Sequence, residues 1–203
     1  MRQLSPPETL EIRLRLAPRD IEFLRDRLLQ AALIGEHESE EALIRVALAT
    51  LERARTGNAP DYVLRQLTAL EEIAALLRDP DWRLPSSARD RARIVLSYFL
   101  DPRDLIPDDA PFFGFLDDAI MIELLVQELA DELSGWRQLA RFRSGLDRRR
   151  RAPASPAERA RKLSEKRRGL RRKIQERRSR GAERGSPRAR FFRSLARRAR
   201  ATS

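Results

Sequence analysis

The sequence predicts an all-α fold, in which a compact helical domain is followed by a basic, largely disordered C-terminal tail. Apolar residues recur at helical spacing through residues 8–147, and capping residues, proline or glycine stand where the pattern starts and stops. Beyond this region the composition changes to arginine, alanine, serine, proline and glycine. We therefore divide the chain into a helical domain, residues 8–147, and an Arg-rich tail, residues 148–203, that is disordered or conditionally helical.

Charge separates the same two regions. Residues 1–145 carry a net charge of −7 and residues 146–203 a net charge of +18, so the overall +11 reflects the tail alone. A basic arm of this kind is typical of a protein that binds an anionic partner. The chain has no cysteine, which excludes disulfides, thiolate zinc sites and cysteine nucleophiles. Its one histidine, His37, lies in a Glu-rich segment and is expected to be a solvated loop residue.

Residues 10–16 have the alternating apolar pattern of a short extended segment. The helical patterns that follow have clear boundaries. Pro18 begins a helix that ends at Gly35, and Ser39 is the expected N-cap of a second helix that ends at Gly57. A third helix is predicted from about Asp61 to Asp79.

Three further helices are predicted in the rest of the domain and one in the tail. The spacing of Ser87 and Asp90 resembles a capping box and predicts a helix start there. The widest apolar stripe covers residues 116–134 and indicates a helix at the centre of the core. A last domain helix is expected from Trp136 to Leu146. In the tail, the capping pattern that starts at Ser155 predicts a helix from 156 to about 178, whose few apolar residues suggest that it forms only when bound.

Between two of these helices lies the segment 101–118, DPRDLIPDDAPFFGFLDD. Its three prolines restrict the residues before them to extended backbone, and Gly114 permits a positive φ. The segment nevertheless carries a run of leucine, isoleucine and phenylalanine side chains, which a solvated linker would not need. We therefore expect a rigid, buried elbow between two core helices.

The elbow resembles the signature of the YkvA-like family of domains of unknown function (family 1232), which is roughly S-P-x-D-L-I-P-D-x-x-P-x-x-G-x-L-D-D. The residues that match are Pro102, Asp104, Leu105, Ile106, Pro107, Asp108, Pro111, Gly114, Leu116, Asp117 and Asp118. Asp101 departs from the signature, since serine is usual there, but both residue types cap helices. The resemblance covers about residues 10–145, omits the tail, and implies no reaction or partner.

Two roles are open for the elbow aspartates. Asp117 and Asp118 fall in the first turn of the following helix, where carboxylates stabilise the helix dipole, and Asp104 and Asp108 can accept hydrogen bonds from turn amides. The same four carboxylates are also candidate ligands for Mg²⁺ or Ca²⁺. The structural role explains every residue type, whereas the spacing fits no EF-hand loop, so we expect no metal. No catalytic residue and no cofactor is indicated by the sequence, and a Mg²⁺ enzyme at these aspartates is the last alternative.

The tail is expected to bind the phosphate backbone of RNA or DNA, because guanidinium groups pair with phosphates through two hydrogen bonds. Its candidate contacts are Arg148, Arg149, Arg150, Arg151, Arg167, Arg168, Arg171, Arg172, Arg177, Arg178, Arg190, Arg193, Arg197 and Arg198. An anionic membrane surface is the alternative partner, since Phe191 and Phe192 among arginines resemble an interfacial anchor. A merely solubilising tail also remains open.

A ribbon-helix-helix DNA-binding fold is a further interpretation of the N-terminal pattern, with Arg13 and Arg15 directed at bases. The acidic domain argues against it, because nucleic-acid binders present a basic face. The longest run without a charged residue, Leu28–Gly35, is far shorter than the ~20 residues of a spanning helix. We expect a non-enzymatic interaction module in the cytoplasm, with the inner face of the membrane as an alternative, peripheral location.

Overall fold

The computed structural model describes residues 17–57, 59–101, 106, 114–147 and 155–182. The elements are α1 Pro18–Ile34, α2 Glu40–Thr56, α3 Asp61–Leu67, α4 Ala69–Arg78, α5 Ser86–Leu96, a 3₁₀ turn Ser97–Leu100, α6 Leu116–Glu128, α7 Ala130–Asp147 and α8 Pro156–Ala182. No strand occurs in these ranges, and the predicted all-α fold is confirmed. The extended segment predicted at residues 10–16 lies outside the described residues.

The first two helices end where local signals predict. The Ser39 hydroxyl accepts a hydrogen bond from the amide of Ala42 at 3.1 Å, which caps α2. Gly35 closes α1 and also lies against the 3₁₀ turn, because a Cβ atom placed on it would be 2.1 Å from Ser97 Oγ. Glycine is therefore required at this position by close contact between the two elements.

Two of the predicted helix boundaries are wrong. The predicted third helix is divided into α3 and α4 at Thr68, whose hydroxyl donates to the carbonyl of Leu64 at 2.7 Å. Such a bond competes with the helical pattern and bends the chain. Helix α5 begins at Ser86 and not at a capping box, because the carbonyl of the extended residue Pro85 accepts the first amide hydrogen bonds.

Helix α6 occupies the central position that its apolar stripe predicts. It packs against α3, α4, α5 and α7, and its Met121, Ile122 and Leu125 are fully buried. The break that follows lies at Leu129, whereas the sequence suggested one next to Gly135. Gly135 is an interior residue of α7, where its missing side chain serves packing and not helix termination.

The described ends of the elbow meet the two helices that it connects. The left-handed backbone lies at Phe115, with φ 62° and ψ 14°, one residue after the Gly114 that was expected to provide it. Phe115 is nevertheless 5% exposed, so its ring is buried in the core at the start of α6. Burial of an aromatic ring stabilises a fold by a few kcal/mol, enough to offset the strain of one left-handed residue.

Helix α8 begins at Pro156, as predicted, and the Ser155 hydroxyl accepts a hydrogen bond from the Glu158 amide at 3.2 Å. It packs against α7 and buries Leu163, Leu170 and Ile174. These three residues, from which we expected a helix that forms only when bound, pack against a surface of the chain itself. The remainder of the predicted tail, residues 148–154 and 183–203, lies outside the described residues.

Candidate functional site

Helix α8 packs against the rest of the helical domain, α1 to α7, which we call the body. The side of α8 that makes this contact combines apolar and polar groups. Leu163, Leu170 and Ile174 recur at spacings of seven and four residues, so they form one stripe along the helix. Lys166 lies 5.5 Å from the centroid of the Phe142 ring, a cation–π contact that connects the same side of α8 to α7.

The polar part of this contact is centred on Glu132, which is 1% exposed. Its Oε2 accepts hydrogen bonds from Arg171 and from Trp82 Nε1, the latter at 3.2 Å, and its Oε1 accepts one from Arg178 at 3.2 Å. The guanidinium carbon of Arg171 lies 4.2 Å from the centroid of the Trp82 ring. We call these four residues, Trp82, Glu132, Arg171 and Arg178, the Glu132 cluster.

The Glu132 cluster has the features that a buried charge requires. Removing a carboxylate from water costs several kcal/mol, and the cost is recovered only when good hydrogen bonds replace the lost hydration. The bonds from Trp82, Arg171 and Arg178 serve this purpose for Glu132. The guanidinium group of Arg171 is satisfied as well, because its other nitrogen donates to the carbonyls of Trp82 at 3.1 Å and of Arg83 at 2.8 Å. Burial lowers the pKa of Arg171, and the Glu132 carboxylate opposes that shift.

The loop between α4 and α5 is held in place by Asp79. Its Oδ1 accepts hydrogen bonds from the amides of Asp81 at 2.8 Å and Trp82 at 3.1 Å, and its Oδ2 accepts one from Trp136 Nε1 at 2.8 Å. Arg143 lies 3.1 Å from the same Oδ2 atom. Burial alone would raise the pKa of Asp79, but the hydrogen bonds from Trp136 and the two amides, together with the charge of Arg143, lower it overall. This carboxylate therefore positions Trp82 for the contact with α8.

Gly135 brings α7, α8 and this loop together. A Cβ atom placed on Gly135 would be 2.5 Å from Trp82 Cη2 and 3.0 Å from Ile174 Cδ1. Real Cβ atoms do not approach so closely, and the Trp82 ring is fully buried with no room to move aside. The absence of a side chain at Gly135 thus permits α8 to approach the body.

The opposite side of α8 is exposed and basic. Arg161, Arg168 and Arg172 are exposed and lie at helical spacing on one side, and we call these three residues the arginine stripe. Arg161 and Arg172 each lie 3.9 Å from the carboxylate four residues ahead, Glu165 and Glu176 respectively. Exposed pairs at this distance contribute little, so the stripe is available to another anion.

A cavity of about 340 Å³ lies beside the Glu132 cluster, between Pro85 and Gln175. Arg171, Arg172 and Arg178 line its α8 side, and Glu132 lies in the same wall. An anion bound in this cavity would compete with Glu132 for Arg171 and Arg178. Of the three arginines, only Arg172 would therefore be available to it. The exposed stripe is consequently a better anion site than the cavity.

The elbow signature contains buried carboxylates that are used within the fold. Asp117 Oδ2 accepts hydrogen bonds from the Tyr98 hydroxyl at 2.7 Å and from the Ile106 amide at 3.4 Å. Asp118 is likewise buried in the first turn of α6, as predicted. Asp101, where the signature has serine, is 3.1 Å from Arg27 in a mostly buried ion pair that ties the start of the elbow to α1.

The comparison of the sequence with family models identifies this part of the chain. Residues 93–124 match the family "Protein of unknown function (DUF1232)". The DUF1232 segment runs from the end of α5 through the elbow into α6, so the resemblance seen in the sequence is confirmed there. Its wider extent, about residues 10–145, stays a prediction. No curated protein and no solved structure matches the chain.

Two of the four metal candidates lie in a part of the DUF1232 segment that is outside the described residues. Asp104 and Asp108 lie outside the described residues, as do Pro102, Leu105, Pro107 and Pro111 of the signature. Within the described ranges no group of three or more histidine, cysteine, aspartate or glutamate residues could hold a metal ion. In the same ranges no helix is both long and apolar enough to span a bilayer.

The arginines predicted to bind an anionic partner divide into two groups on α8. Arg171 and Arg178 bind Glu132, and Arg167 donates to the carbonyl of Asp81 at 2.7 Å, so these three face the body. Arg168, Arg172 and Arg177 are exposed. The other predicted contacts, Arg148–Arg151 and the arginines from 190 to 198, lie outside the described residues.

Sequence reasoning missed three residues of this region. Arg161 belongs to the arginine stripe and could have been found from its spacing of seven residues before Arg168. Glu132 and Trp82 had no such signal, because nothing local marks a glutamate in a helical pattern as buried. Their roles depend on contacts with residues far away in the sequence.

Proposed function

We propose that the chain is a non-enzymatic nucleic-acid-binding protein, in which α8 is fixed on the helical body and offers the arginine stripe to a phosphate backbone. The observation that carries the proposal is the division of α8 into two sides. One side is anchored through Glu132 and buried leucines, and the other exposes Arg161, Arg168 and Arg172. Because this helix is already folded and fixed on the body, binding of a phosphate backbone costs less conformational entropy than it would for a disordered arm.

The chemistry of the stripe suits phosphates. Guanidinium groups donate two parallel hydrogen bonds to phosphate oxygens and remain charged at any physiological pH. From Arg161 to Arg172 the helix rises by about 16 Å, which is long enough to reach several phosphates along a strand. Arg148–Arg151 would extend the contact beyond the N-terminal end of the stripe.

Nucleic acid is preferred to a membrane surface because of what accompanies the arginines. Interfacial helices place large apolar side chains beside their basic residues. The exposed large apolar side chains of the described residues are Phe23, Leu33 and Ile34, all on α1, so α8 has none on its outer side. Membrane binding through Phe191 and Phe192 remains the alternative, and a Mg²⁺ enzyme at the elbow aspartates is a third.

The proposal is tested by measuring the affinity of the full-length protein for a labelled oligonucleotide over a series of salt concentrations. Changing the stripe to glutamine, R161Q/R168Q/R172Q, should weaken binding and flatten the dependence of log K on log salt. If all three arginines bind phosphates of a duplex, the slope should decrease in magnitude by about 2.7. Oligonucleotides of unrelated sequence should give similar affinities, because phosphate contacts carry no sequence information.

A matched control removes the same number of positive charges, three, from the body instead of from α8. R45Q/R65Q/R141Q replaces three exposed arginines of α2, α3 and α7 and should leave the salt dependence nearly unchanged. Equal effects of the two triple variants would show that only net charge matters and would contradict a site on α8. Binding to anionic vesicles but not to oligonucleotides, lost on changing Phe191 and Phe192 to alanine, would favour the membrane alternative.

A further inference from the structure

Helix α1 carries a second apolar surface in addition to the one that faces the core. Leu24 and Leu28 are buried on its inner side, whereas Phe23, Leu33 and Ile34 are 55%, 57% and 45% exposed. Phe23 and Ile34 are eleven residues apart, which is three helical turns, so they lie on the same side of α1, about 16 Å apart along its axis, with the exposed residues Asp26 and Gln30 between them. We call the surface formed by Phe23, Leu33 and Ile34 the α1 face.

The surroundings of the α1 face are acidic. Glu22 and Asp26 are exposed on the same helix, and Glu36 and Glu38 are exposed directly after it, whereas among the described side chains of α1 Arg19 is the one exposed arginine and Arg25 and Arg27 are half-buried. An apolar surface with an acidic border fits a partner whose apolar residues are surrounded by positive charge.

We propose that the α1 face is the docking site of the chain's own C-terminal segment, residues 190–199. At helical spacing this segment places Phe191, Phe192, Leu195 and Ala199 together. Its charged residues are all arginines, Arg190, Arg193, Arg197 and Arg198. The segment therefore offers apolar side chains to the α1 face and positive charge to its acidic surroundings.

Two arguments favour this occupant over others. Residues 8–16 also contain alternating apolar side chains, but their two glutamates and two arginines cancel, so they have no charge complementarity with the border. Over a separate molecule, residues 190–199 have the advantage of belonging to the same chain, and a tether that spans two sites gives an effective concentration in the millimolar range. A weak contact can then be well populated. This inference does not depend on the proposed function of α8.

The contact can be measured with spin labels, because the chain has no cysteine of its own. Cysteines introduced by H37C, next to the α1 face, and S194C, in the segment, give one labelled pair in the full-length protein. Pulsed electron paramagnetic resonance should show a short, narrow distance between the labels at low salt. Either F191A/F192A or F23A/L33A should reduce the docking equilibrium constant, calculated from the fraction at that distance, about tenfold, which corresponds to ~1.4 kcal/mol of docking free energy.

The control Q138A changes an exposed residue of α7 and should leave the distance distribution unaltered. A broad distance distribution that is changed neither by F191A/F192A nor by F23A/L33A would overturn the proposal. Loss of the short distance on dilution with unlabelled protein would also overturn it, since the contact would then join two copies. A short distance that requires anionic vesicles would assign the segment to a membrane instead.

Discussion

The guanidinium group of Arg171 lies over the indole ring of Trp82, 4.2 Å from the ring centroid, while it binds the Glu132 carboxylate at the same time. Trp82 itself donates to that carboxylate, so the three side chains form a closed set of contacts. This arrangement joins a helix of the basic region to the core of the acidic domain. It makes the planar shape of arginine, and not only its charge, important for the stability of the fold.

Replacing Arg171 with lysine should therefore destabilise the protein although the charge is kept. A lysine cannot stack on Trp82 and bind Glu132 and two carbonyl groups simultaneously, so we expect a loss of about 1–3 kcal/mol in chemical denaturation. Arg172→Lys is the matched control, because its side chain is 78% exposed and the change should cost less than about 0.5 kcal/mol. Equal effects of the two changes would mean that the Glu132 cluster does not hold α8.

Two glycines of α7 give a second matched pair. Gly135→Ala should destabilise the fold by about 1–3 kcal/mol, since the new methyl group would overlap with Trp82 and Ile174. Gly145→Ala should be neutral or stabilise by up to ~1 kcal/mol, because no atom lies within 4 Å of the new Cβ and alanine favours the helix. Thermal unfolding of both variants tests this, and a stable Gly135→Ala protein would contradict the close packing of α8.

Removal of the tail tests how far the domain extends. The sequence alone predicts that residues 1–150 fold with little change in melting temperature, because the apolar pattern ends at Leu146. The burial of Leu163, Leu170 and Ile174 leads us to expect that the shortened protein still unfolds cooperatively, but at a midpoint lower by roughly 5–10 °C. Unfolding midpoints that agree within two degrees would show that α8 adds nothing to stability.

Acid should weaken the fold through Asp79. Because its pKa in the folded protein lies below the ordinary value of 3.8, Asp79 contributes stability above that value and loses it as the pH falls through the folded pKa. At neutral pH the Asp79→Asn protein should therefore have a lower free energy of unfolding than the wild type. This difference, the gap between the two proteins, should narrow below about pH 4. Asp147→Asn is the control: the hydrogen bond from Arg159 and the charges of Arg159 and Arg143 also lower the pKa of Asp147, but this carboxyl is exposed, so the effect of its removal should be much smaller. A gap that is constant with pH would exclude a titrating Asp79 as its cause.

The buried carboxylate of Asp117 is expected to be structural. Asp117→Asn should lower the melting temperature equally with and without Mg²⁺ or Ca²⁺, because it disturbs the hydrogen bond from the Tyr98 hydroxyl. Tyr98→Phe removes the same bond, so the double variant should lose less than the sum of the two single losses. A rise in melting temperature on adding either ion, abolished by Asp117→Asn, would instead indicate a metal site.

Local signals predicted the parts of the fold that depend on neighbouring residues. The Ser39 cap, the ends at Gly35 and Gly57 and the start of α8 at Pro156 were all predicted from residues within one helical turn. The left-handed Phe115 was not predicted, because it depends on how the helices pack, and the division at Thr68 was not predicted, because a threonine inside a helical pattern does not by itself end a helix. The sequence marks neither residue as different from its neighbours.

The sequence predicted which residues could form the candidate site, but not which side of α8 each of them occupies. Arg168 and Arg172 were expected to bind a partner and are exposed, whereas Arg171, which was expected to do the same, binds Glu132. A count of arginines cannot separate those that bind the body from those that remain available. That distinction requires the position of Glu132, which lies in another helix.

The position of Glu132 also has a consequence for synthesis of the chain on the ribosome. Domains generally begin to fold from the N-terminus while translation continues at about 5–20 residues per second. Trp82, Gly135 and Glu132 are all translated before Arg171, so the nascent domain must pass through a stage in which the buried carboxylate and the indole ring have no cover from α8. Completion of the domain is thereby tied to arrival of the last described helix, and a chain that stops short of α8 leaves this surface open to chaperones and proteases.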